Sequence, residues 1–170
     1  MQTSSAATYS GAWNNTAPTS SIFTLGNDGQ WNGAYNFVAY CWAAVPGFSA
    51  FGSYVGNGVA DGPFVYTGFR PRFIIIRQSS GGSLTGAGQS DWLIYDTARS
   101  AFNLVTADKA LSPNRTDAEA WLSAASTESV DILSNGFKLR GGPTNLTNNT
   151  SVNYIYAAFA ETPVKYTRSR

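Results

Sequence analysis

Asn36-Phe-Val-Ala-Tyr-Cys-Trp-Ala-Ala-Val-Pro46 returns near the C-terminus as Asn153-Tyr-Ile-Tyr-Ala-Ala-Phe-Ala-Glu-Thr-Pro163. Asn36 answers Asn153, Phe37 answers Tyr154, Val38 answers Ile155, Trp42 answers Phe159 and Pro46 answers Pro163, at a constant offset (153 − 36 = 117). A second echo precedes each copy, Phe23-Thr-Leu25-Gly26 and Phe137-Lys-Leu139-Arg140, at an offset of 114 (137 − 23). The difference of three residues is one that a loop absorbs. Matching apolar residues at matching spacing predict equivalent hairpins over residues 22–43 and 137–160, with the same faces buried. The chain then divides into residues 1–47, the terminal hairpin of a partial repeat, and residues 48–170, a complete β-sandwich module. Modular repetition marks arrays, fibres and shells rather than single-pocket enzymes.

Outward from the repeat, the signal is β throughout. Short runs of aromatic and β-branched residues alternate with Gly, Asn, Ser and Thr. They predict strands near 22–25, 34–43, 50–55, 63–67, 72–78, 91–96, 130–133, 136–140 and 152–161. Asn135-Gly136 signals a tight turn between two of them. Phe73-Ile-Ile-Ile76 is continuously apolar, so both faces of that strand are expected to be buried. Asn27-Asp28-Gly29 reads as a hairpin turn. Ser112–Ser123 is the one helical stretch, with Asn114 or Thr116 as its cap. Residues 79–88 and 141–150 read as long loops, where binding commonly resides. The expected fold is an all-β antiparallel sandwich, jelly-roll or lectin-like, with at most one short helix.

The composition bounds function. A chain of 170 residues can build one domain with a real core. Only 12% of residues are charged, about half the usual share. Such a surface is either neutral and rich in Ser, Thr, Asn and Gly, or partly covered by neighbours. The net charge of +1 provides no basic stripe for nucleic acid and no polybasic cluster for a membrane. The N-terminus has neither the charged nor the apolar region of a signal peptide, so synthesis in a cytoplasm without export is expected. The single cysteine, Cys41, lies in an apolar run and is expected to be a small buried hydrophobe.

Chemistry has little to work with. The chain has no His, which removes Ser-His-Asp and Cys-His arrangements and, with a single Cys, nearly all zinc chemistry. No cofactor or metal is expected. Paired carboxylates remain conceivable for glycoside hydrolysis, with Asp91, Asp96, Asp131 and Glu161 as candidates. Each stands alone among apolar or turn residues. Asp96-Thr-Ala-Arg99 reads more simply as a strand end, where Asp96 accepts backbone N–H groups and forms a structural ion pair with Arg99. Of the aromatic residues, 14% of the chain, most fall on strands. Trp13 and Trp31 lie in loop-like surroundings and are the natural candidates for exposure.

Taken in order, these segments resemble a module in virion proteins of tailed bacteriophages. The likeness rests on Trp13-Asn-Asn-Thr-Ala-Pro-Thr-Ser-Ser-Ile-Phe-Thr-Leu-Gly26, Phe51-Gly-Ser-Tyr54 with Gly56-Asn-Gly58, and Asp61-Gly-Pro-Phe-Val-Tyr-Thr-Gly-Phe-Arg-Pro71. It continues through Phe73-Ile-Ile-Ile-Arg77, Trp92-Leu-Ile-Tyr-Asp96 with Arg99, Leu133-Ser-Asn-Gly-Phe-Lys-Leu-Arg140 and Tyr154-Ile-Tyr-Ala-Ala-Phe-Ala-Glu161. The resemblance implies a sandwich similar to concanavalin-A-type lectins, in a tail fibre or appendage. The shortness of the chain favours a capsid-decorating or fibre-tip protein. Implied partners are other virion proteins and further copies of the chain, with a host-surface glycan as an additional ligand. Trp13, Trp31, Tyr54 and Tyr66 are the candidate partner or glycan contacts. The resemblance brings no catalytic residue. A carbohydrate-binding adhesin is the alternative reading, and a glycan-degrading enzyme the remotest.

Overall fold

The computed structural model of the chain describes residues 10–80, 91–99, 103, 110–116, 129–142 and 146–161. Residues 43–170 pack as one unit and residues 2–42 as another.

The larger unit is an all-β sandwich of two antiparallel sheets, the architecture expected from the sequence. Its strands are β1 (Ser49–Val55), β2 (Phe64–Tyr66), β3 (Pro71–Ser80), β4 (Leu93–Asp96), β5 (Ser129–Leu133), β6 (Gly136–Arg140) and β7 (Asn153–Ala160). One sheet runs β1-β7-β3-β4 and the other β2-β6-β5. Period-two alternation decides what lies between them. Ile74, Ile76, Leu93, Tyr95, Tyr154 and Ala158 face inward from the first sheet. Val65, Val130, Ile132, Phe137 and Leu139 meet them from the second. The fully buried Phe137 joins the layers, with edge-on ring contacts to Tyr54 at 6.3 Å and Tyr156 at 5.3 Å. Burying a side chain of this size stabilises a fold by about 1.5–3 kcal/mol.

The apolar run of β3 is buried on one face only. Ile74 and Ile76 are inaccessible, whereas Phe73 and Ile75 on the outer face are half-buried. The outer residues are covered in part by their cross-strand neighbours. Phe159 of β7 lies between Phe73 (centroids 6.0 Å apart) and Phe51 of β1 (5.7 Å).

The β5–β6 hairpin turns at Ser134-Asn135, with Leu133 opposite Gly136. A side chain at Gly136 would run into the carbonyl of Val65 and the Phe64 ring. The glycine therefore serves the approach of β2 rather than the turn. The Asn135 carbonyl accepts from Thr67 and Gly68 N–H at 3.0 and 3.2 Å.

Residues 146–150, part of the expected loop 141–150, are instead a structural knot. Thr147 and Asn148 are fully buried. The Asn148 side-chain amide donates to the carbonyls of Val59 (2.9 Å) and Gly141 (3.0 Å) and to Asn57 Oδ1 (3.1 Å). Its carbonyl oxygen Oδ1 accepts from Asn57 N at 3.0 Å. Gly62 completes the nest, because a Cβ there would stand 2.9 Å from Asn148 Nδ2 and collide with the Leu139 carbonyl. The Tyr54 hydroxyl donates to the Thr147 carbonyl at 2.8 Å, and the Tyr154 hydroxyl accepts from Asn149 N at 3.0 Å.

The smaller unit departs from expectation. Residues 22–25 and 34–43 form no strand, so the first copy of the repeat is not a hairpin equivalent to residues 137–160. Instead there are two single-turn helices, α1 (Ser10–Trp13) and α2 (Gly29–Asn32). Asn27-Asp28-Gly29 does not turn a hairpin. Asp28 caps α2, its carboxylate accepting from Gln30 N at 2.7 Å, the ordinary role of Asp where no strands flank it. The Ala12 and Gly11 carbonyls accept from Gly26 and Asp28 N–H at 2.7 and 3.0 Å, tying the helices together. A strand needs a ladder partner. The second copy lies between β1 and β3, and among the described residues the first has none. The helix expected over 112–123 is a turn in its described part, with Arg115 N donating to the Ser112 carbonyl at 3.1 Å. Residues 117–123, most of the loop 79–88, and Thr162-Pro163 of the second copy lie outside the described residues.

Replacing Asn148 by Ala removes four hydrogen bonds and strands buried carbonyls. The expected cost is about 2–4 kcal/mol, read as a lowered midpoint in urea-induced unfolding. An Asn148→Ala protein that unfolds at the wild-type midpoint would show that the knot does not hold the fold.

Candidate functional site

Each carboxylate singled out in the sequence is engaged by arginine. Asp91 accepts from Arg115 at 3.1 Å and from the Asn114 side-chain amide at 2.6 Å. Asp96 pairs with Arg99, whose Nε lies 2.6 Å from Oδ2. Asp131 accepts from Arg140 Nε at 2.6 Å. Glu161 meets Arg72 at 2.6 Å where the end of β7 lies beside the start of β3. Asp96 shows how local sequence builds such a pair. Its Oδ1 also accepts from the N–H groups of Ala98 and Arg99 at 2.9 Å, closing the turn that leaves β4. Burial opposes its charge, but the Arg99 N–H, the Arg99 guanidinium and the Ala98 N–H outweigh it and hold the carboxyl below its ordinary range. Among the described residues, no group of three or more acidic or cysteine side chains is placed to hold a metal.

The four aromatic candidates do not form one site. Tyr54 faces inward, stacked on Tyr154 at 5.1 Å with its hydroxyl engaged. Burial first, then the neighbouring Tyr154 and Tyr95, push its phenol well above the ordinary range. It is a structural residue. Tyr66 faces outward on the second sheet and is 67% exposed, beside the exposed Phe64. Lys138, cross-strand from Phe64, reaches Asp61 at 2.6 Å; Arg140 reaches the same carboxylate at 3.3 Å and Asp131 at 2.6 Å. The hydrogen bond from Lys138 and its charge hold Asp61 below the ordinary range. This face therefore combines two exposed rings with a short ladder of ion pairs. Trp13 is partly exposed in α1, and Trp31 is half-buried in α2.

The largest exposed aromatic surface lies where the sequence suggested a strand. Tyr35, Phe37, Tyr40 and Trp42 are 78%, 50%, 77% and 66% exposed, and Val38 between them is open as well. Tyr40 and Trp42 stack on each other at 6.2 Å. Cys41, expected to be buried, is exposed with them. Without a ladder, neither face of the segment is covered. The signal was visible in the sequence as a run apolar on both sides, but periodicity alone does not separate a buried strand from one awaiting a partner.

The Asp96 network predicts a pH signature. A carboxyl held below its ordinary value contributes stability that is present above that value and is lost as pH falls through the folded value. Asp96→Asn should therefore unfold about 1–2 kcal/mol more easily than wild type near pH 7. That gap should narrow as pH falls below the ordinary carboxylate value, ~3.9, and through the lower folded value. Paired thermal melts across this range check it. A gap that stays constant to acid pH would remove the assigned charge.

No curated protein matches this chain, and no solved structure does. A family model described as a domain of unknown function, DUF7483, matches residues 1–163. The chain, whose sandwich, paired carboxylates and exposed N-terminal aromatics are described above, belongs to the DUF7483 family.

Proposed function

We propose that this chain is a non-catalytic structural subunit of a tailed-phage virion, a fibre, appendage or capsid-decoration component that works by assembly. The observation that carries the reading is the band of exposed aromatics over residues 35–42. Exposed apolar surface of this extent marks interaction sites, and aromatic anchors dominate interface energetics. The engagement of Asp91, Asp96, Asp131 and Glu161 by arginine supports a structural rather than catalytic use of these groups. The low charged fraction fits a surface that meets neighbours, and the resemblance to phage modules names the particle.

One observation favours an added role in host-surface recognition. The exposed rings of Phe64 and Tyr66 beside the Lys138–Asp61–Arg140 ladder offer stacking faces and hydrogen-bonding groups, the combination that sugars require.

Gradient-purified particles of a phage encoding this chain provide the test. The chain should be found in them by mass spectrometry and be labelled on the particle exterior by a specific antibody. Its absence from purified particles, with presence only in the soluble lysate, would overturn the virion reading. Tyr66→Ala should leave particle incorporation intact and reduce cell attachment if the glycan role holds.

A further inference from the structure

We propose that residues 36–43 form a strand in trans, adding to the free edge of β1 in a second copy of the chain. This rests on the reading of the chain as an assembling subunit and specifies the contact. β1 ends its sheet, and among the described residues its other edge carries no strand, only the bridge of Val45 to Ser49. The segment repeats the pattern of β7, the strand that β1 already accepts. In that ladder Ser49 lies opposite Phe159, Phe51 opposite Ala157 and Tyr54 opposite Tyr154. Carried over at the repeat offset, Trp42 lies opposite Ser49, Tyr40 opposite Phe51, Cys41 opposite Ala50 and Phe37 opposite Tyr54. Phe37, Ala39 and Cys41 then extend the inner face, and Val38, Tyr40 and Trp42 the outer one. Trp42 and Tyr40 flank Phe51 on the side away from Phe159, continuing the existing aromatic row.

Within one chain, the turn before β1 sets a different register. The turn at residues 46–48 is closed by the Val45–Ser49 bridge, with Val45 N donating to the Ser49 carbonyl at 3.1 Å. Extending that bridge two residues at a time places Ala43 opposite Phe51 and Cys41 opposite Ser53. This differs from the β7-like register by an odd number of residues, so every side chain changes face. Tyr40 and Trp42 would enter the core side and the small residues would face out. In a reciprocal exchange the Val45–Ser49 bridge opens in both copies, which frees the edge of Ser49 for Trp42 of the second copy. Residues 43–48 can span up to about 20 Å between an outgoing strand and β1. The area is sufficient. Phe37, Tyr40 and Trp42, each at half exposure or more, offer roughly 400 Å² per copy at the ~150–250 Å² each can bury. Counted over both copies, with the surface they cover, a reciprocal exchange passes the ~1,200 Å² of a stable interface.

The single native Cys41 makes the register readable. Directly paired strand positions lie about 4.5–5.5 Å apart, within disulfide reach. Ala50→Cys should yield a disulfide-linked dimer on non-reducing gels after mild oxidation. Ser53→Cys should not yield an internally cross-linked monomer. Because Ala50 packs beside the core, a second variant at exposed positions, Tyr40→Arg with Trp42→Arg, guards against misfolding. It should keep the wild-type melting temperature and weaken self-association by about ten-fold or more in sedimentation equilibrium. An internal Cys41–Ser53→Cys link, or a wild-type chain that stays monomeric at high concentration, would overturn the pairing. A chain present in particles yet monomeric and uncross-linked defeats the pairing and leaves the virion reading standing. A dimer that cross-links as expected but is absent from particles does the reverse.

Discussion

The side-chain amide of Asn148 is the constraint on which the sandwich depends. A buried amide without partners costs about 1–3 kcal/mol, and this one is satisfied from three directions, by Asn57, Val59 and Gly141. These bonds join the segment leaving β1 to the segments that follow β6 and precede β7. Gly56 N donates to the Val152 carbonyl at 2.9 Å and Ser151 N to the Gly56 carbonyl at 3.0 Å, extending the tie to the first residues of the β1–β7 pair. Tyr54 and Tyr154, stacked inside the sandwich, anchor their hydroxyls in the same stretch. Polar satisfaction and apolar packing thus meet at one end of the β1–β7 pair. Ring stacking fixes the distance between the strands' side chains, and the amide fixes the loops that deliver them.

From that anchored end, the two faces of the sheets serve different purposes. The inner faces are aliphatic and aromatic and make the core. The outer face of the four-stranded sheet carries the Phe51–Phe159–Phe73 row, half-buried by its own neighbours. The outer face of the three-stranded sheet is polar, with Asp131, Lys138 and Arg140 linked through short ion pairs. Exposed pairs of this kind contribute little stability, about 0–1 kcal/mol. Their effect is to hold charged side chains in fixed positions beside Phe64 and Tyr66.

Seven of the expected strands were legible because each combined β-branched or aromatic residues with a clear turn signal on either side. Asp96 with Arg99 was legible for a related reason: the partners are three residues apart and a turn joins them. Asp91 and Glu161 were not, because their arginines arrive from distant sequence. Arg72 meets Glu161 only when the start of β3 pairs with the end of β7, and Arg115 meets Asp91 only through the turn at 112–115. Asn148 was invisible for the same reason. Nothing in Asn-Leu-Thr-Asn-Asn-Thr distinguishes a solvated loop from one whose amide bonds three backbone groups of two other segments.

The sequence by itself determined the fold class, the seven strands of the sandwich, the inward alternation of the core and the likeness between residues 36–43 and 153–160. These are local properties, set by side-chain period and turn chemistry. Only the tertiary structure decided what each copy of that likeness became. Residues 153–160 found β1 on one side and β3 on the other and are the centre of a sheet. Residues 36–43, with nearly the same pattern, found neither and remain open. A strand is completed by hydrogen bonds to a neighbour. The neighbour is chosen by chain topology rather than by the strand's own residues.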